Sequence, residues 1–180
     1  MIVVGIDPNT RGFHAAALVN VGMEIEELVL LESQHEWQKL GLWSQSVYLV
    51  AKEASVLMEM LRRKGKYTDE IYVFIEEPLV AGRRNLRTAL LMAQMVGAVI
   101  AQCAEYTKKV YLVPVSAWKV GTVGKGGASK TEVADWLNAV HPGYAAQCAG
   151  RQDLIDACCI AWHGVRIADA ACLVLPEAEG

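Results

Sequence analysis

No Cys-x-x-Cys pair occurs in this sequence. Cys103, Cys148, Cys158, Cys159 and Cys172 fall outside any zinc-ligand spacing, and an odd count fits reduced thiols in a cytosolic compartment. Proline is scarce, at five residues, and no low-complexity stretch or solenoid-period repeat is present, which argues against a long linker or a repeat array. Long apolar runs are also missing. The most apolar region, Ala89 to Ala101, is broken by Gln94 and falls short of the roughly 20 residues that span a bilayer. Residues 1–7 lack the basic flank and apolar core of a secretory signal, so the expected setting is cytoplasmic, without a membrane. Basic residues are not in excess: 17 Lys and Arg against 20 Asp and Glu give a net charge of −3. That counts mildly against a nucleic-acid partner, although the bases are clustered and some acids belong to a candidate metal site.

What is present is an ordinary globular composition, 53% hydrophobic and 21% charged. A single domain over residues 1–175 is expected, followed by a short acidic tail at 176–180. Ile2 to Ile6 reads as a strand running into Asp7, and Pro8 to Gly12 as a turn. Phe13 to Val19 and Met23 to Leu31 read as second and third strands, joined closely enough for an antiparallel meander. Residues 44–64 are helical, because Val50, Ala54, Leu57, Met58 and Leu61 share one face. Ile71 to Ile75 is too continuously apolar to have a wet face and reads as a buried strand ending at Glu76. A helix over Asn85 to Tyr106, a strand over Val110 to Val113, a helix over Ser129 to Val140 and a last helix over Gln152 to Ala168 complete the order βββ-α-β-α-β-α-α. This is an α/β chain with a mixed five-stranded sheet and helices on both faces.

Four carboxylates stand where a core would not place them. Asp7 ends the first strand, Glu76 ends the fourth, and Asp153 and Asp156 share a helix face at i, i+3. Taken singly, each has a plainer reading: Asp7 as a turn former, Glu76 beside Glu77 as a solvated loop, Asp153 as a helix cap. Taken together, adjacent first and fourth strands crossed by the last helix would gather all four. Clustered like charges raise one another's pKa, and hard divalent cations remove that cost. Magnesium, two ions about 4 Å apart with manganese as a substitute, would serve phosphodiester hydrolysis there.

At this point the sequence resembles the RuvC-type Holliday-junction resolvases of the RNase H-like superfamily, over nearly its whole length. Gly5-Ile6-Asp7-Pro8 is similar to the family's first strand with its metal-binding Asp, and Phe74-Ile75-Glu76 to the fourth strand with its Glu. Asn85, Ala89-Leu90, Gln94 and Gly97 follow the family's helix pattern. Lys119 through Val133, with Gly124, Gly126, Ala128 and Lys130, is similar to a family loop carrying two lysines eleven positions apart. Asp153-Leu154-Ile155-Asp156-Ala157 is similar to the closing acidic pair. Two positions depart: Asn9 replaces the family's glycine in a shorter turn, and Leu79 replaces a frequent DNA-stacking aromatic. The compact size and divergent turn suit a phage or viral member.

The resemblance implies a homodimer that binds branched DNA, four-way junctions above all, and cuts it in paired, magnesium-dependent steps. It implies metal ligation by Asp7, Glu76, Asp153 and Asp156, with Lys119 and Lys130 acting beside them. Arg83, Arg84, Arg87, Lys125 and Leu79 are the further residues expected against DNA. A broader branched-DNA nuclease and a junction-binding module without turnover are the alternatives. No nucleotide cofactor is expected: residues 124–131 imitate a phosphate-binding loop but place Ser129 where the pattern needs glycine. His163, two helical turns after Asp156, is a candidate neighbour of the site, with a core or surface role as the plainer reading.

Overall fold

Ile2, Val3, Val4 and Ile6 are buried on both sides of their strand, which places that strand at the middle of a sheet. The computed structural model describes residues 1–9, 12–19, 27–34, 43–64, 70–78 and 86–174, with side chains in the last helix described through Asp169. Strand β1 (Ile2–Asn9) pairs antiparallel with β2 (Gly12–Val19), and β2 pairs antiparallel with β3 (Glu27–Gln34). On its other side β1 pairs parallel with β4 (Ile71–Glu76), which pairs parallel with β5 (Val110–Val113). The sheet order is β3-β2-β1-β4-β5, so the first and fourth strands are neighbours as expected.

Helices cover both faces. On one, α1 (Trp43–Lys64) and α2 (Leu86–Ala104) bury Val50, Leu57, Leu61, Met95 and Val99 against Val4, Ile6, Val73 and Ile75. On the other lie α3 (Val115–Val123), α4 (Lys130–Val140), α5 (Pro142–Cys148) and α6 (Gln152–Val174), which pack Trp118, Leu137, Cys148, Leu154 and Ile160 against Val3, Leu18 and Phe74. Cys103, Cys148, Cys158 and Cys159 are buried free thiols.

Three features differ from the sequence expectation. β1 continues through Asp7 and Pro8 to Asn9, so Asp7 is a ladder residue opposite His14 and not a turn former. β3 runs on to Gln34, because β2 offers a partner for every residue as far as Gly12; the expected start of that strand, residues 23–26, lies outside the described residues. Helices α3 and α5 form between the expected elements, in segments where no helix was expected. Pro142 opens α5 at the first helical turn, where its missing N–H costs nothing.

Helix α2 is long and apolar enough, by length and composition, to cross a membrane, and a third of it is buried within the fold. Its sheet-facing side carries Ala89, Leu91, Met95, Val96, Val99 and Cys103. The opposite side carries Leu86, Leu90, Gln94, Gly97 and Ala101, all exposed.

Candidate metal centre

Strand register assembles the site. Glu32 pairs with His14, and His14 with Asp7; Ile6 pairs with Ile75, so the next rung sets Asp7 beside Glu76. The two-residue period aims this whole row at the same side as Gly5, which is the side covered by α6. The helix can come that close because Gly5 has no side chain. A Cβ there would stand 2.2 Å from the Ala157 carbonyl oxygen and 2.4 Å from the Ala161 nitrogen. Farther along, Gly164 makes the same allowance for the Phe74 ring, which a Cβ would approach to 2.3 Å. Small residues on both surfaces therefore bring the first turns of α6 down over the row.

The result is a tight acidic group. Carboxylate oxygens of Asp7, Asp153 and Asp156 lie within 4.8 Å of one another. Asp7 is 7% exposed; burial, then the charges of Glu76, Asp156 and Asp153, push its pKa well above the usual carboxylate range, with Lys130 opposing. Burial likewise raises Asp156, against a 2.7 Å hydrogen bond from Gln152 Nε2 and the charges of Lys119 and Lys130. Glu76 stands beside this trio. Burial raises its pKa too, and the Trp118 indole N–H, which donates to Oε2 at 2.9 Å, opposes the shift.

Two cationic side chains face the acids from the α3–α4 corner. Lys119 donates through Nζ to the Ala128 carbonyl at 2.7 Å, so its ammonium is tied to the loop it spans. Gly124 ends α3 in the left-handed region at φ 85°, its N–H bonding back to Lys119 and Val120 carbonyls. Ser129 then caps α4 reciprocally with Glu132, which places Lys130 in the first turn. A loop between two helices is not the strand–loop–helix of a nucleotide-phosphate cradle.

No family model and no curated sequence matches the chain. Solved structures do match it. RuvC of Thermus thermophilus aligns at TM-score 0.66 and 23% identity, covering 95% of this chain and 97% of that one. The same protein in complex with a Holliday-junction substrate aligns at 0.66 and 23%, covering 95% and 96%. This chain folds like RuvC.

Within that RuvC-like fold, the structure brings together Asp7, Asp153 and Asp156, with Glu76, Lys119 and Lys130 around them. Lys125 is on the rim, exposed and ion-paired to Glu132 at 2.9 Å. Arg87 is exposed in the first turn of α2. Leu79, Arg83 and Arg84 lie outside the described residues. His163 packs on Gly121 of α3, with Nδ1 buried and without a partner among the described residues. Among the described residues, the histidine that reaches the acids is His14, 1% exposed, whose Nε2 is 3.7 Å from both Asp153 and Glu32. Sequence reading missed His14, Glu32 and the Trp118–Glu76 bond, because each depends on cross-strand register or on the unforeseen helix α3. The one available signal was alternation: from Phe13 onward, His14 is a polar residue in an otherwise apolar buried strand.

The donor set is all carboxylate oxygen, with Asp7 buried and Asp153, Asp156 and Glu76 partly exposed, and among the described residues Lys119 and Lys130 oppose its charge. These are the conditions under which a hard divalent cation binds.

Proposed function

We propose that this chain is a magnesium-dependent endonuclease that resolves four-way DNA junctions. The observation that carries the reading is the Asp7–Asp153–Asp156 group, with oxygens within 4.8 Å and Glu76 alongside, on a RuvC-like fold. Support for the substrate comes from the Thermus thermophilus relative in fold, solved with a Holliday-junction substrate.

Asp7, Asp153 and Asp156, with Glu76, would hold the metal; magnesium fits their hard oxygens, and manganese would replace it. When bound, two such ions supply an activated water for in-line attack on a phosphodiester and stabilise the departing 3′ oxygen, leaving 5′-phosphate and 3′-hydroxyl ends. The chain's own groups do the rest. Trp118 holds Glu76 by its Oε2, which fixes the direction of the other oxygen. Gln152 does the same for Asp156. Lys119 and Lys130 set positive charge where negative charge gathers on the phosphate in the transition state. Arg83, Arg84, Arg87 and Lys125, with Leu79 as an apolar wedge in place of an aromatic, would contact the DNA around the cut. Two copies of the chain would place two such centres on one junction, and the setting would be the cytoplasm.

The test is cleavage of a labelled synthetic four-way junction beside a linear duplex and a three-way fork, with magnesium or with EDTA. Symmetrically paired, metal-dependent nicks in the junction are expected. Asp7→Asn should lose cleavage by about 100-fold or more while still binding the junction. Equal cutting of every branched form would replace the resolvase with a broader branch nuclease. Junction binding without cleavage under any divalent metal would leave a binding module.

A further inference from the structure

Asn9 stands where the resembling family has glycine, and the fold gives that departure a partner. The Gly12 N–H donates to Asn9 Oδ1 at 3.1 Å, closing the β1–β2 corner and identifying which end of the amide is oxygen. The nitrogen end, Nδ2, lies 3.3 Å from His14 Nδ1. A carboxamide nitrogen only donates, so Nδ1 is the accepting nitrogen and Nε2 carries the ring N–H. Nε2 belongs to a side chain only 1% exposed and lies 3.7 Å from Asp153 Oδ2 and 3.7 Å from Glu32 Oε1. Glu32 is already ion-paired to Arg151 through its other oxygen. Glu76 has Trp118 and Asp156 has Gln152; among the described residues, His14 is the group 3.7 Å from Asp153.

We propose that Asn9 and His14 form a positioning pair: Asn9 fixes the ring tautomer, and the His14 Nε2–H orients the Asp153 carboxylate toward the cation. The proposal rests on the metal-centre reading above. At 3.7 Å the contact is longer than a hydrogen bond, so the ring acts on Asp153 through its nearby polar edge and not as a hydrogen-bonded partner. Carboxylates that bind metals are ordinarily held by such outer groups, and losing one typically costs about 10–100-fold in metal affinity.

The experiment is Mn²⁺ binding to the full chain by electron paramagnetic resonance, with ¹⁵N resonances of the His14 ring recorded in EDTA. The wild type should show the Nε2–H tautomer. His14→Leu should weaken Mn²⁺ about 10–100-fold. His14→Gln, which keeps an N–H donor, should recover part of the loss. Asn9→Gly should mix the tautomers and weaken Mn²⁺ by a smaller factor. Asp156→Asn serves as the control that must lose the metal. Unchanged affinity in His14→Leu, with Asp156→Asn defective, overturns the pair and leaves the metal centre standing. A wild-type Nδ1–H tautomer overturns it as well. Should His14→Leu fail to fold, full affinity in Asn9→Gly overturns the pair in its place. A wild-type chain that binds no Mn²⁺ removes the metal-centre reading itself.

Discussion

Asp7 is the buried member of the acidic group, so its ionisation bears on the stability of the chain. Its pKa, like those of Glu76 and Asp156, is raised above the ordinary carboxylate range, mainly by burial. Raised folded-state values mean that the unfolded chain releases these protons first. The stability they contribute is complete below about pH 4 and is lost as pH rises through the folded-state values. In EDTA, the melting temperature measured by calorimetry should carry a falling contribution from this site as pH rises toward neutrality. Magnesium should reverse it, adding about 2.7 kcal/mol at a hundred times its Kd. Asp7→Asn should melt higher than wild type in EDTA at neutral pH and gain little from magnesium. A variant that melts lower in EDTA yet keeps the full magnesium effect would remove Asp7 from the site. The acids themselves were legible in the sequence, since an Asp and a Glu each closing an apolar strand violate the burial pattern. Their supports were not. Trp118 reads as a packing residue until α3 places its N–H on Glu76, and His14 reads as an isolated histidine until the β1–β2 register sets it opposite Asp7.

Among the elements, α6 decides whether the acids meet at all. Its closeness to β1 depends on Gly5, where an added Cβ would be 2.2 Å from backbone oxygen and could not be relieved by a side-chain rotation. Gly5→Ala should therefore cost about 1–3 kcal/mol of stability through overpacking. It should also lift Asp153 and Asp156 from Asp7, so Mn²⁺ affinity falls with the midpoint of urea unfolding. Loss of stability with undiminished metal affinity would show that the acidic group does not need the α6–β1 contact. The long elements were readable because periodicity is a property of many residues together. Helix α3 was not: Val115, Val120, Val123 and Gly121 are poor helix formers, and the segment is helical because Trp118 is buried beneath it. Helix α5 has seven residues, too few for a pattern to register.

For the whole molecule, the outer face of α2 is an exposed apolar surface among the described residues on which the proposed dimer can be tested. Ala89, Ala93, Gly97, Ala101 and Ala104 recur along α2 as a series of small residues at helical spacing. The fold divides them: Ala89 is buried on the sheet, while the other four are exposed along with Leu86 and Leu90, each more than half exposed. A Cβ added at Gly97 would meet nothing within 4 Å, so there is room for a second backbone to approach. An exposed apolar stripe flanked by small residues suits a two-fold contact, in which the same face meets itself. In the resolvase reading that second copy is required for paired incision. If two copies meet through this face, Leu90→Arg would place two like charges within their contact. Sedimentation equilibrium should show at least about tenfold weaker association, equivalent to about 1.4 kcal/mol. The variant should nick junction arms singly, while its Mn²⁺ affinity stays that of wild type, because α2 lies on the face of the sheet away from the acids. Paired incision by an undiminished Leu90→Arg dimer would move the interface elsewhere. A monomeric wild type that still cuts in pairs would show that two centres need not be joined before they reach the DNA.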